Sequence, residues 1–221
     1  MSSPLHNGHK KEFQLERLIL FSDAVFAIAI TLLAIEIKVP ELHQELISDH
    51  DLQHSLAHMI PKFIGFLLSF FIIGQYWTIH HRLFGFVENY NLRLLWLNLI
   101  FLLGIIIMPF TTAFYSEYIV YYLKTPVVLY VGNIIFMGLM NYALWRYVGN
   151  AKNGLSEGLE GIVIKYFSIR ALMTPILFII TLLIYLFAPA VAFWIPPTTP
   201  LFILILARLY RKKLEPAVKH H

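Results

Sequence analysis

Arg17-Leu-Ile-Leu-Phe21-Ser22-Asp23-Ala-Val-Phe-Ala-Ile28-Ala-Ile-Thr31-Leu32-Leu-Ala-Ile35-Glu36 holds eighteen residues between its charged ends, and Asp23 alone among them carries a charge. About 20 mostly apolar residues cross the hydrocarbon core of a bilayer as a helix, so this stretch predicts a membrane span. An aspartate inside such a span costs roughly 2.5–3.5 kcal/mol at the helix centre. Asp23 stands one to two turns from the start, where the cost is smaller, and it still needs a partner. Trp77, His80, His81 and Asn98 fall at comparable depth in the next two apolar runs. Two readings of Asp23 remain open on the residues alone. It is either a proton or ion site, or a hub hydrogen-bonded between helices, the hub being the favoured of the two.

The rest of the chain has the same character. Of 221 residues, 58% are hydrophobic and 14% charged, and the mean hydropathy is +0.68. Soluble domains carry about 25% charged residues, and a soluble core cannot absorb this much apolar surface. The length leaves no room for a separate soluble catalytic domain. The absence of cysteine excludes disulfides, zinc–thiolate sites and thiol catalysis. The net charge of +4 is scattered among loops, which reads as the positive-inside bias of membrane proteins and not as a nucleic-acid surface. The polar segment before Leu18, with Lys10, Lys11, Glu12 and Glu16, precedes an apolar run with no small-residue cleavage site after it. A retained anchor is expected there and not a signal peptide.

The apolar runs predict an all-α membrane protein, a single domain over residues 1–221 with six transmembrane helices at about 18–39, 59–80, 92–115, 125–147, 167–188 and 195–213. Pro40 stops the first, Pro109 lies near the end of the third, and Pro175 is the expected kink site in the fifth. A polar linker spans Gly149 to Gly161. The sixth helix is short in apolar residues (Leu201–Leu209), and Pro196, Pro197 and Pro200 fall in its first turns, where missing amides matter least. Six crossings with a cytoplasmic N-terminus put fourteen Lys and Arg inside, from Lys10 to Lys219, and only Lys38, Lys62 and Lys124 outside. That asymmetry predicts a multi-pass protein of the cell membrane with both termini cytoplasmic.

On a helical wheel Ile28, Leu32, Ile35 and Val39 form one stripe. At 100° per residue, Thr31 lies about 60° from Ile28 and Asp23 about 140° from it. An aliphatic stripe in a span is ordinarily lipid-facing or packed, and composition alone would not single this one out.

The residues Arg17, Phe21, Ser22 and Asp23 spell R-x-x-x-F-S-D at the start of the first span, followed by Thr31-Leu32-Leu33. This resembles the signature of the transmembrane protein 175 family, the endolysosomal potassium channels and their prokaryotic relatives. Trp77 with His80-His81, and Leu97-Asn98-Leu99 followed by Pro109-Phe110, resemble the family's pattern on the next two helices. The likeness is detailed over the first half of the chain and amounts to helix count beyond it. It implies a potassium-preferring cation channel whose first helices line a central pore, with a hydrophobic constriction at Ile28 and further rings at Leu32 and Ile35. It implies that Thr31 contributes to potassium preference. It assigns Arg17, Phe21, Ser22, Asp23, Trp77, His80 or His81, and Asn98 to a packing network behind the pore helix. The family lacks a carbonyl filter, and this chain has no T-V-G-Y-G-like segment. Animal members carry two six-helix repeats per chain and form dimers, so a single set implies a homotetramer in the lipid bilayer. Potassium is the expected permeant ion, with sodium, caesium and protons as further candidates.

Other residues carry weaker expectations. The histidines of the polar segments (His6, His9, His43, His50, His54, His58) read as solvated, and no H-E-x-x-H spacing appears, so neither a metal site nor a cofactor is expected. Asn133 and Asn141 read as interhelical hydrogen-bond partners. The acidic segment Glu36, Glu41, Glu45, Asp49, Asp51 either concentrates cations at the pore mouth or is an ordinary outer loop. The main alternative function is a proton-permeable channel or proton-coupled transporter using Asp23 and His80 or His81. An enzyme is not expected, because too few polar groups converge at membrane depth.

Overall fold

The computed structural model describes residues 4–40, 48–156, 159, 161–192, 195 and 198–218. Its helices are α1 Pro4–Ile35, α2 Asp49–His58, α3 Ile60–Phe84, α4 Leu92–Tyr118, α5 Lys124–Val148, α6 Gly161–Tyr185, α7 Pro189–Ala192 and α8 Thr199–Val218. Five helical stretches are long and apolar enough to cross a membrane: Glu12–Ile35, Ile60–Phe84, Leu92–Tyr121 (α4 with the helical turn that follows it), Lys124–Val148 and Gly161–Tyr185. In α8 the apolar part is the shorter Leu201–Tyr210.

The helices differ from expectation mainly at their ends. The expected first helix, 18–39, begins instead at Pro4, because Lys10, Lys11 and Glu12 are good helix formers that hydropathy does not count. It ends at Ile35, and Val39 lies beyond it in the extended approach to Pro40, outside the helical stripe. The polar loop after it contains α2, which starts with a capping box. The Ser48 hydroxyl accepts from the Asp51 amide, and the Asp51 carboxylate accepts from the Ser48 amide. The expected 167–188 helix is Gly161–Tyr185, so it starts directly at the end of the Gly149–Gly161 linker and stops three residues earlier than read. Both α4 and α6 run through their prolines, Pro109 and Pro175. Residues 193, 194, 196 and 197, where the last helix was expected to begin, lie outside the described residues.

Chain order sets the packing. α1 lies in the angle of α3 and α4, α4 packs along α5, α5 along α6, and α6 along α7 and α8. Asn91 caps α4 by accepting from the Leu94 amide at 2.9 Å, and its amide donates to the Tyr147 hydroxyl at 3.0 Å, tying the start of α4 to the end of α5. Asn133 on α5 donates to the Gly104 carbonyl of α4 at 3.0 Å. Asn141, expected to bridge helices likewise, is buried with no hydrogen-bond partner. A run of hydroxyls joins α3, α4 and α5: Thr112 donates to Ser69 at 2.8 Å, and Ser69 lies 3.0 Å from the Tyr130 hydroxyl. At Gly138 the absent side chain lets Pro175 of α6 approach closely, since a Cβ there would stand 2.6 Å from the ring.

Candidate functional site

α1 has two unlike faces. Leu15, Leu18, Ser22, Phe26, Ala29 and Leu33 recur at three- and four-residue intervals and are buried against α3 and α4. The opposite face is bare. Ile28 is 58% exposed, Leu32 40% and Ile35 68%, and Thr31, Phe21 and Arg17 are exposed beside them. A helix held on one side only leaves this aliphatic stripe for lipid or for another copy of the chain to cover.

The buried face carries a polar chain at its start. The Ser22 hydroxyl donates to the Leu18 carbonyl at 2.8 Å, the Asn98 amide nitrogen donates to Ser22 at 2.8 Å, and the Asn98 amide oxygen lies 2.8 Å from His80 Nε2. With the amide so oriented, His80 Nε2 carries a proton and donates to Asn98. Ser22 and Asn98 are fully buried and His80 is 1% exposed. Aromatic rings close the chain off: the His80 ring stacks on Phe84 at 4.4 Å and on Phe101 at 5.6 Å, with Phe26 tilted against it at 5.4 Å. These polar groups thus meet one another inside the buried contact of α1, α3 and α4.

Asp23, one residue on, turns away from this chain. Its carboxylate accepts from the Trp77 indole nitrogen of α3 at 2.9 Å, and it is half-buried. His81 is exposed, its ring 5.7 Å from that of Trp77. The structure therefore brings Ser22, Asn98 and His80 into one cluster and Asp23 and Trp77 into a second. It places Arg17 and Phe21 elsewhere, on the Ile28 face, with the Arg17 guanidinium 6.0 Å from the Phe13 ring. Phe26, which the sequence reading did not single out, lies between the clusters and the core. Its signal was its position four residues after Ser22, on the same helix face.

On the bare face, the Thr31 hydroxyl donates to the Ile28 carbonyl at 2.8 Å. That bond uses its proton and leaves oxygen lone pairs free to meet a cation or its hydration water. Past the end of α1, Glu36, Lys38, Lys62 and Glu117 line a small cavity of about 120 Å³. There Lys62 of α3 and Glu117 of α4 form an ion pair at 2.6 Å. Among the described residues no three His, Asp or Glu side chains are grouped to hold a metal ion.

The family described as "Endosomal/lysosomal potassium channel TMEM175" matches residues 17–109, which take in α1 from Arg17 onward, α2, α3 and most of α4. A potassium channel of Chamaesiphon minutus is 33% identical over 142 residues, covering 64% of this chain and 69% of that one. The crystal structure of a lysosomal potassium-selective channel TMEM175 homolog from the same organism superposes with a TM-score of 0.73 at 25% identity, over 87% of this chain and 98% of that one. The endosomal/lysosomal proton channel TMEM175 of Danio rerio is 28% identical over 119 residues, 53% of this chain and 22% of that protein. The chain belongs to the endosomal/lysosomal potassium channel TMEM175 family, a family of membrane ion channels and not of enzymes.

Proposed function

We propose that the chain forms a potassium-preferring cation channel of the cell membrane in which copies of α1 surround a central pore. The carrying observation is the bare aliphatic face of α1, with Ile28, Leu32 and Ile35 uncovered while the opposite face is locked to α3 and α4. Four copies related by closed cyclic symmetry would bring these faces together. Ile28 is then the constriction, Leu32 and Ile35 are further rings toward the outer mouth, and Arg17 and Phe21 stand at the inner vestibule. The clusters of Ser22, Asn98 and His80 and of Asp23 and Trp77 hold α1 from behind, so that its pore face keeps its rotation.

A narrow apolar ring resists wetting and acts as a gate. An ion crossing it sheds part of its water, which costs less for potassium than for sodium. The Thr31 oxygen, adjacent to the ring, replaces some of that water. We read membrane topology from charge: the asymmetry of Lys and Arg supports a sixth crossing at α8, whose apolar part is Leu201–Tyr210, and such a crossing keeps both termini cytoplasmic. The test is planar-bilayer recording of purified protein under a potassium/sodium gradient. A reversal potential near the potassium value is expected, and one near zero or at the sodium value would refute the preference.

A second reading, a proton-permeable channel or proton-coupled transporter through Asp23 and His80, draws on the name of the Danio rerio relative and on the buried hydrogen-bonded chain that ends at His80. It ranks second because the Asn98 amide interrupts that chain, and an amide does not readily pass protons. Liposome acidification under a proton gradient, with no potassium current, would favour it.

A further inference from the structure

The seam between α5 and α6 holds a cavity of about 780 Å³ at the end where α5 finishes and α6 begins, within the size range of ligand sites. Its α6 wall is a single helix face, from Gly161 through Ile164, Lys165, Ser168 and Ile169 to Leu172. Its other wall is Tyr142 and Arg146 of α5, with Gly149, Asn150 and Lys152 in the turn beyond.

The lining grades along its length. Arg146, Lys152 and Lys165 gather at the loop end. Ile169 and Leu172 lie deeper, Leu172 being about 16 Å along α6 from Gly161 at 1.5 Å per residue. No carboxylate of the described residues lines the cavity, and none of the three cations pairs with one. Ser168 is only 7% exposed, yet its hydroxyl has no partner. Helical serines and threonines commonly donate to the carbonyl four residues back. Ser22, Ser116 and Thr181 do so here, and Ser168 does not.

We propose that this groove binds an anionic phospholipid, its phosphate against Arg146, Lys152 and Lys165 and an acyl chain along Ile169 and Leu172, with Ser168 donating to an oxygen between them. Basic pockets between spans on the cytoplasmic side suit anionic headgroups, and that placement rests on the topology under Proposed function. A free phosphate shares the headgroup chemistry but would leave the apolar end unfilled.

The test is native mass spectrometry of the full chain in detergent, titrated with phosphatidylglycerol, phosphatidylcholine or inorganic phosphate. Phosphatidylglycerol is expected to bind at roughly tenfold lower concentration than phosphatidylcholine. Arg146→Gln with Lys165→Gln removes that preference, Lys152→Gln alone weakens it several-fold, and Lys124→Gln, at the far end of α5, leaves it intact. Equal binding of the two lipids, an unchanged preference in the groove variants, an equal loss in Lys124→Gln, or displacement of phosphatidylglycerol by inorganic phosphate would overturn the proposal. Binding is read without current, so a silent channel and an empty groove are separate results.

Discussion

Asn98 donates from its amide nitrogen to the hydroxyl of Ser22 at 2.8 Å, across the contact of α4 with α1. Through its amide oxygen the same side chain reaches His80 on α3, so one asparagine joins the three helices that frame the candidate pore face. Removing it leaves the His80 N–H without an acceptor in a dry site, at a cost of roughly 1–3 kcal/mol. Asn98→Ala and Ser22→Ala are each expected to lower the thermal unfolding midpoint in detergent. The double variant should lose less than the sum, because both changes break one bond. Additive losses would show that the contact contributes little.

The bond from Trp77 to Asp23 gives a carboxylate at membrane depth its partner. Trp77→Phe keeps the ring and removes the donor, so stability should fall by about 1 kcal/mol. In an Asp23→Asn background the same change should cost less, since the charge that needed the donor is gone. A Trp77→Phe penalty of equal size in both backgrounds would assign it to packing alone.

Gly138 tests how closely α5 and α6 must approach. A Cβ there meets the Pro175 ring, which cannot move aside as a flexible side chain would. Gly138→Ala is expected to destabilise by about 1–3 kcal/mol despite alanine's better helix propensity. Gly132→Ala, with open space around its Cβ position, should be neutral or slightly stabilising. The pair is compared by thermal unfolding.

At α2, hydrogen bonds from Ser48 hold the Asp51 carboxyl below the usual carboxylate range. A folded pKa below the unfolded one means the cap contributes above the unfolded pKa and fades as pH falls through the folded value. Amide exchange in residues 49–58 should therefore quicken only in strongly acidic solution. Ser48→Ala should quicken it already at neutral pH. Equal exchange in the two proteins at neutral pH would remove the capping box as the start signal.

The five long spans were legible because lipid demands continuous apolar runs, and the depth of Asp23 narrowed its partner to four residues, Trp77, His80, His81 and Asn98, of which the structure selects Trp77. The helix before Glu12 and α2 were not legible, since polar residues form helices as readily as loops and hydropathy is silent on the difference. The family resemblance assigned the motif residues to one network. A helix separates neighbours by 100°, which sets Arg17 and Phe21 within about 20° of Ile28 and turns Ser22 and Asp23 away. The partner of Ser22 came within reach of sequence reading, but the rings of Phe26, Phe84 and Phe101 that shield His80 did not, because aromatic packing has no spacing rule across helices.

The chain has no cysteine, so a single introduced thiol reports without background. Ile28→Cys in a planar bilayer, exposed to a charged thiol reagent during recording, tests most directly whether the bare face of α1 lines the conduction path. The account predicts that the reagent changes the Ile28→Cys current and spares Leu67→Cys, an exposed position on α3. An Ile28→Cys current untouched by the reagent, with wild-type conductance, would contradict it.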